Sequence, residues 1–290
     1  MKVSGFTIVR NAIKYDYPII ESIQSILPIV DEFIVSVGNS EDNTLALIQS
    51  IQSPKIKIIE SVWDDTLREG GKVLAVETDK AFDSISTDSD WAFYIQADEV
   101  IHEKYYDAIR DGMAKYKNDK RVEGLLFDYL HFYGSFAYIG NSRKWYRNEI
   151  RIVRNDKEIR SYKDAQGFRK NGKKLIVKPI QASVFHYGWV KNPFHQQEKQ
   201  KNFHKMWHND EWLEKHISKA DEFDYSTIDS LEKYKGTHPG IMVERLKKMN
   251  WKFEFDQKKI RLSIKDKFLL WIERSTGWRP GEYKNFELLN

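Results

Sequence analysis

The chain has 290 residues, 41% of them hydrophobic and 31% charged, which suits a soluble globular protein with a proper core and excludes a disordered or low-complexity chain. With 47 Lys and Arg against 43 Asp and Glu the net charge is only +4, too weak a bias to call for nucleic acid, and the lack of cysteine excludes disulfides and thiolate metal sites. No apolar stretch approaches the length of a membrane span, and Arg10, Asn11 and Lys14 follow the first short apolar run, which is not signal-peptide form, so a cytoplasmic location is expected.

The first third alternates strand and helix patterns, the mark of an α/β chain with a mostly parallel central sheet flanked by helices. Residues 6–9 are a β-rich run ended by Arg10 and Asn11, and after Pro18 the side chains of Ile19, Ile20, Ile23, Ile26 and Leu27 share one helical face. A strand over 32–37 runs into turn-forming residues 38–43, a helix over 44–51 follows, and 55–61 is a third strand. Gly70 and Gly71 precede a helix carrying Val73, Leu74, Val76 and Ala81, and the apolar run Trp91 to Ile95 reads as a strand buried on both faces. Beyond it a helix over 104–117 leads to strand-like segments at 124–132, 149–154 and 182–186. From Pro193 the chain reads as helices rich in Trp, Lys and Glu, one of them starting near Thr237-His238-Pro239. A soft boundary near residue 190 divides an α/β domain, 1–190, from a helical carboxyl-terminal extension, 191–290, and the excess of Lys and Arg lies mostly beyond residue 140.

Gln96-Ala97-Asp98-Glu99 ends the fourth strand, and in open α/β sheets ligands collect outside the carboxyl ends of such strands. Two hard oxygen donors there suit Mg²⁺ or Mn²⁺ shared with substrate phosphates. A polar helix cap is the plain alternative, since acids also favour the first turn of a helix.

Three stretches in chain order, Val37-Gly38-Asn39-Ser40-Glu41-Asp42-Asn43-Thr44, Gly71-Lys72 and Gln96-Ala97-Asp98-Glu99, together resemble the family 2 glycosyltransferases of GT-A (Rossmann-like) fold. That family typically carries Asp-Asp-Gly-Ser-x-Asp-Gly-Thr, a later helix with Gly-Lys, and Asp-x-Asp. The chain matches Ser40, Asp42 and Thr44 of the first, Gly71, Lys72, Ala75 and Ala81 of the second and Asp98 of the third, and Arg10-Asn11 after the first strand also looks like the family; the resemblance covers about the first 100 residues. Val37 and Gln96 stand where the family has acids, which puts recognition of the base and ribose in question.

The resemblance implies metal-dependent, inverting transfer of a sugar from a UDP- or GDP-linked donor to a carbohydrate or glycolipid acceptor, as in surface polysaccharide or glycolipid synthesis. It implies a donor site of Arg10, Asn11, Val37, Asn39, Lys72, Gln96 and Ala97, with Asp98 on the ion; beside it, the adjacent acid Glu99 is expected to help hold the ion, and His186, which follows an apolar strand end, is expected to complete metal or diphosphate coordination. Lys72 or Arg68 would face the leaving diphosphate, and Glu149 or Asp164 would be the base, although either acid can instead pair with a nearby Arg. His186 can equally be a structural histidine, and Trp145, Tyr146 and Phe168 offer stacking faces unless they fill the core. His204 and His208, at helix-face spacing, lack a third ligand for zinc. Two other classes remain open: a carbohydrate-binding module of similar fold without catalysis, and a nucleotidyltransferase, against which stands the absence of Gly from residues 10–17. Lys265, Lys267, Phe268, Leu269, Trp271 and Arg274 form a basic amphipathic segment of the kind that lies on membranes or packs in a core.

Overall fold

Alternation along the early strands sends one set of apolar side chains to each face of a sheet, so that sheet needs cover on both sides. In the computed structural model, which describes residues 1–218, 220–256 and 260–290, the elements run β1 (Val3–Val9), α1 (Ile19–Ile26), β2 (Glu32–Gly38), α2 (Thr44–Gln49), β3 (Ile56–Ser61), α3 (Lys72–Asp83) and β4 (Trp91–Tyr94). Phe33, Val35, Trp91 and Phe93 pack with α1 on one face, whereas Phe6, Ile34, Ala92 and Tyr94 meet Val73, Ala81 and Phe82 of α3 on the other. The four strands are parallel in the order β3-β2-β1-β4. The chain therefore reverses its direction of growth between β1 and β4, where a doubly wound sheet opens a crevice.

Beyond β4 come β5 (Glu99–Ile101), α4 (Tyr106–Tyr116), β6 (Gly124–Tyr133), β7 (Ser135–Gly140), β8 (Asn148–Arg154), β9 (Ile159–Tyr162), β10 (Gly167–Lys170), β11 (Lys173–Lys174) and β12 (Ile176–Trp189). Here the pairing turns mixed: β8 is antiparallel to both β4 and β6, while β12 runs parallel to β6 and antiparallel to β5. The expected parallel arrangement thus describes the amino-terminal half of an α/β sheet that continues as a mixed one. β12 is longer than the 182–186 expectation because it passes Pro179, at a break in register where a residue without an N–H can sit. β9, β10 and β11 form a small separate sheet that the charged sequence of this stretch does not announce.

The remaining elements are α5 (Pro193–Lys205), α6 (Asp210–His216), β13 (Leu231–Lys233), α7 (Val243–Lys247), α8 (Ile264–Thr276) and β14 (Glu287–Leu288). Residues beyond 190, expected as helices, also supply strands: β13 extends the sheet beside β7, and β14 pairs with β12. Among the described residues no helix is long and apolar enough to cross a membrane.

Glu99 and Arg151, both fully buried, join β5 to β8 through two hydrogen bonds of 2.8 and 2.7 Å. Glu99 also accepts from the Tyr129 hydroxyl at 2.7 Å and the Gln96 N–H at 3.0 Å, and Arg151 donates to the Gln166 carbonyl at 2.8 Å. All of the carboxylate is thereby spoken for. Arg151→Met, which leaves that charge buried without its partner, is expected to lower stability in urea unfolding by about 3–5 kcal/mol, and Glu99→Gln/Arg151→Met by less; equal losses would exclude the uncompensated charge as the cause.

Candidate active site

A cavity of about 650 Å³ opens at the carboxyl ends of β1 and β4. The sheet supplies its floor through Ile8 to Asn11 and through Gln96, Ala97 and Asp98; Asp164 and Gln166 form one wall, Tyr146 and Trp189 another, and α5 passes over it with Lys199, Asn202 and Phe203.

Asp98 is held in the turn between β4 and β5 and is nearly buried. Its Oδ2 accepts from the Lys199 ammonium at 3.0 Å, and the same ammonium reaches the Gly188 carbonyl at 3.0 Å. Burial pushes the Asp98 carboxyl up, but the charge of Lys199 leads the effects that outweigh it, and the group lies well below the usual carboxylate range. Asp98 is therefore ionised at any physiological pH.

His186 presents its Nε2 3.7 Å from Asp98 Oδ1. The state of that nitrogen follows from its neighbours. His131 Nε2 lies 2.9 Å from the Tyr146 carbonyl, which can only accept, so Nε2 carries the His131 proton. Burial pushes both imidazoles down and keeps them neutral. His131 Nδ1 is then an acceptor, and His186 Nδ1–H donates to it across 3.1 Å. His186 Nε2 is left with a bare lone pair beside an ionised carboxylate, which is a pair of donors for a cation. A Cβ added at Gly188 would stand 2.5 Å from His186 Nε2 and 2.7 Å from Asp98 Oδ2, so only glycine leaves this space open. Among the described residues no three His, Cys, Asp or Glu side chains converge as a metal-binding group. One carboxylate and one imidazole suit an ion that accepts a nitrogen donor and fills its other positions with water and phosphate oxygens, which favours Mn²⁺ over the oxygen-seeking Mg²⁺.

Glu99, expected on the ion, points into the protein, where Arg151, Tyr129 and the Gln96 N–H occupy both oxygens. It is not a cavity residue because it starts β5 with its side chain turned from that of Asp98. Of the expected donor-site residues, Arg10, Asn11, Gln96 and Ala97 line the cavity, whereas Val37, Asn39 and Lys72 do not. Val37 is core, Lys72 is exposed at the start of α3, and Asn39 accepts from the Trp63 N–H at 3.0 Å. Arg10 is engaged by Asp65 at 2.6 Å, and Arg68 by Asp210 at 2.8 Å and the Lys205 carbonyl at 2.8 Å.

The residues Ser40, Asp42 and Thr44 do a structural task. Ser40 accepts from the Asn11 N–H at 3.0 Å, Thr44 from Ala12 at 2.7 Å and Asp42 from Lys14 at 2.7 Å, which fixes the loop after β1 against the one after β2. Asn11, at φ 56°, answers with its side chain on the Glu41 N–H at 2.7 Å.

Asp164 lies in the cavity wall between Lys163 and Ala165, both at positive φ (54° and 61°), a strained backbone that holds the carboxyl at the opening. Gly71, at φ 70°, is required there, since a Cβ would lie 2.7 Å from that of Asp164. Burial pushes the Asp164 carboxyl up. Glu149 lies outside the cavity lining, fully buried in β8, with Asn285 donating to it at 3.2 Å. Phe168 is also core, packed on Tyr94, so it offers no stacking face, and Trp145 stacks on His131. Lys199, His131, Tyr17 and Trp189 carry no motif. Only the helical spacing of Gln196, Lys199 and Phe203 marks one face of α5 as turned inward.

Burial pushes Glu149 from 4.5 up to about 7. A raised carboxyl stabilises fully below its unfolded value, and the benefit is lost as pH rises through the folded one. Relative to wild type, Glu149→Gln should therefore gain stability between pH 5 and 8, on the order of 3 kcal/mol by urea unfolding; a difference that does not vary with pH would rule out this carboxyl as the titrating group.

No family model matches the chain, and no curated protein matches it. Among solved structures it is similar to S. aureus TarS 1-349 in complex with UDP-GlcNAc (13% identity, 70% of this chain and 65% of that one, TM-score 0.39). It is also similar to 4-diphosphocytidyl-2C-methyl-D-erythritol synthase from Anaerococcus prevotii (9%, 69% and 96%, 0.37) and to Mycobacterium tuberculosis glucosyl-3-phosphoglycerate synthase with Mn²⁺, UDP-Glc and phosphoglyceric acid (17%, 45% and 44%, 0.30). The match spans less than two thirds of the TarS chains, 39% of the longer one. Likeness of this extent transfers no activity.

Proposed function

We infer that the chain is a glycosyltransferase of GT-A type, related to family 2, that moves a sugar from a nucleoside diphosphate donor to a hydroxyl of a carbohydrate or glycolipid. The observation that carries this reading is the ionised Asp98 at the switch point of the sheet, facing the bare nitrogen of His186 and the ammonium of Lys199 in a cavity sized for a nucleotide sugar. Asp98 and His186 would hold Mn²⁺ or Mg²⁺, and an ion there neutralises charge on a departing diphosphate. Arg10, Asn11, Gln96 and Ala97 would line the donor, with Gln96 offering neutral hydrogen bonds to the ribose.

In this reading the acceptor oxygen bonds to the anomeric carbon as the bond from that carbon to the diphosphate breaks, with inversion in a single displacement. The hydroxyl proton passes to Asp164, which is assigned the base because it lines the cavity and Glu149 does not. Tyr146 and Trp189 offer faces for sugar rings. Lys199 favours a variation: its ammonium already meets Asp98 and can carry the positive charge itself when no divalent ion is present.

Calorimetric titration of UDP and GDP, with Mn²⁺ and with EDTA, tests the donor site. Binding is expected for one nucleotide and should be lost in Asp98→Asn with Mn²⁺ present; no heat with either nucleotide in either buffer would remove the assignment. Binding that survives EDTA in wild type and fails in Lys199→Met would assign the cation role to the lysine. Asp164→Asn is expected to slow transfer, at saturating donor, by about a hundredfold to ten-thousandfold, whereas Glu149→Gln should keep most turnover. The reverse pattern would move the base to Glu149.

A further inference from the structure

The carboxyl-terminal region presents a feature that does not line the cavity. α8 is a well-terminated helix: Ser263 caps its start by accepting from the Asp266 N–H at 3.0 Å, and Gly277, at φ 72°, ends it with its N–H on the Glu273 carbonyl at 2.8 Å. One face is fastened to the protein. Leu270 is buried there, and Glu273 takes Arg143 at 3.0 Å, Arg147 at 3.4 Å and Arg279 at 3.4 Å. The other face is bare and apolar. Ile264, Phe268 and Trp271, at the i, i+4, i+7 spacing of one stripe, are 87%, 59% and 64% exposed, and Trp278 just past the helix end is 65% exposed. Lys265, Lys267 and Arg274 flank the stripe, all exposed, and among the described residues none of the three side chains makes an ion pair. The two acids of the helix, Asp266 and Glu273, are occupied at the cap and on the fastened face.

We propose that this face of α8 is a docking surface for an anionic membrane, in which Phe268, Trp271 and Trp278 enter the headgroup boundary and Lys265, Lys267 and Arg274 meet lipid phosphates. The charge pattern selects this occupant: aromatic side chains on a stripe bordered by unpaired cations match the interface of an acidic bilayer, where Trp and basic residues are favoured together. A second copy of the same face would bring like charges together. Leu269, half-buried, belongs to the fastened side. Docking would also orient the cavity, because Arg279 of the adjoining segment donates at 2.9 Å to the carbonyl of Trp145, next to the cavity residue Tyr146.

The test is sedimentation of the full chain with vesicles of phosphatidylcholine alone and of phosphatidylcholine mixed with phosphatidylglycerol. Partition to the acidic vesicles should be stronger by on the order of a hundredfold, about fivefold for each of the three cations. Lys265→Gln/Lys267→Gln/Arg274→Gln should remove most of that preference, and Phe268→Ser/Trp271→Ser should lower binding to the acidic vesicles; neither set touches the core, which circular dichroism verifies. Equal, negligible partition to both vesicles would overturn the proposal. So would a dimer in sedimentation equilibrium that Phe268→Ser/Trp271→Ser converts to monomer, since the face would then belong to a second copy. The outcome is independent of the donor titration.

Discussion

The buried pair of Glu99 and Arg151 is the constraint on which the cavity depends. Two charges without water persist only when every donor and acceptor is met, and here the hydrogen bonds that meet them come from both sides of the opening. Through the Gln96 N–H the carboxylate fixes the turn that carries Asp98, and through the Gln166 carbonyl the guanidinium fixes the strained loop that carries Asp164. One ion pair therefore sets the positions of the two acids to which the chemistry is assigned. It yields nothing to a ligand itself.

Against that rigid support the electrostatics are arranged in series. The Tyr146 carbonyl decides the tautomer of His131, His131 decides that of His186, and His186 is left facing Asp98 without a proton between them. Lys199 supplies positive charge from the other side. Under the proposed function, a cation beside Asp98 would be either this ammonium, carried on α5, or a divalent ion between the carboxylate oxygen and the imidazole nitrogen.

Much of this was legible in the sequence, for identifiable reasons. The apolar run at Trp91 to Ile95 has one physical home, a strand buried on both faces, and an acid at its carboxyl end must then meet the crevice. The same logic, carried one residue further, separates the two acids: neighbouring side chains at a strand's start point to opposite sides, so Asp98 and Glu99 do not serve one ion. Ser40, Asp42 and Thr44 announced an ordered loop but not that its partners are the backbone N–H groups after β1. Lys199 carried only a weak signal, its place on the helical face of Gln196 and Phe203, and nothing in the sequence said that this face meets Asp98. The small sheet of β9 to β11 was hidden for another reason: its strands are short and charged, and pairing rather than periodicity defines them.

α5 lies across the cavity and is tied down at both ends, but unequally. At its start the buried Lys191 donates to the Asp16 carbonyl at 2.7 Å and His195 meets the Lys14 carbonyl at 2.9 Å; at its end Gly71 donates to Met206 at 3.2 Å and the partly exposed Arg68 holds Lys205 and Asp210. Ties that water can replace part first. The start of the helix is therefore anchored by a buried ammonium and its end by a partly exposed guanidinium, so the end over Arg68 is the less firmly held of the two.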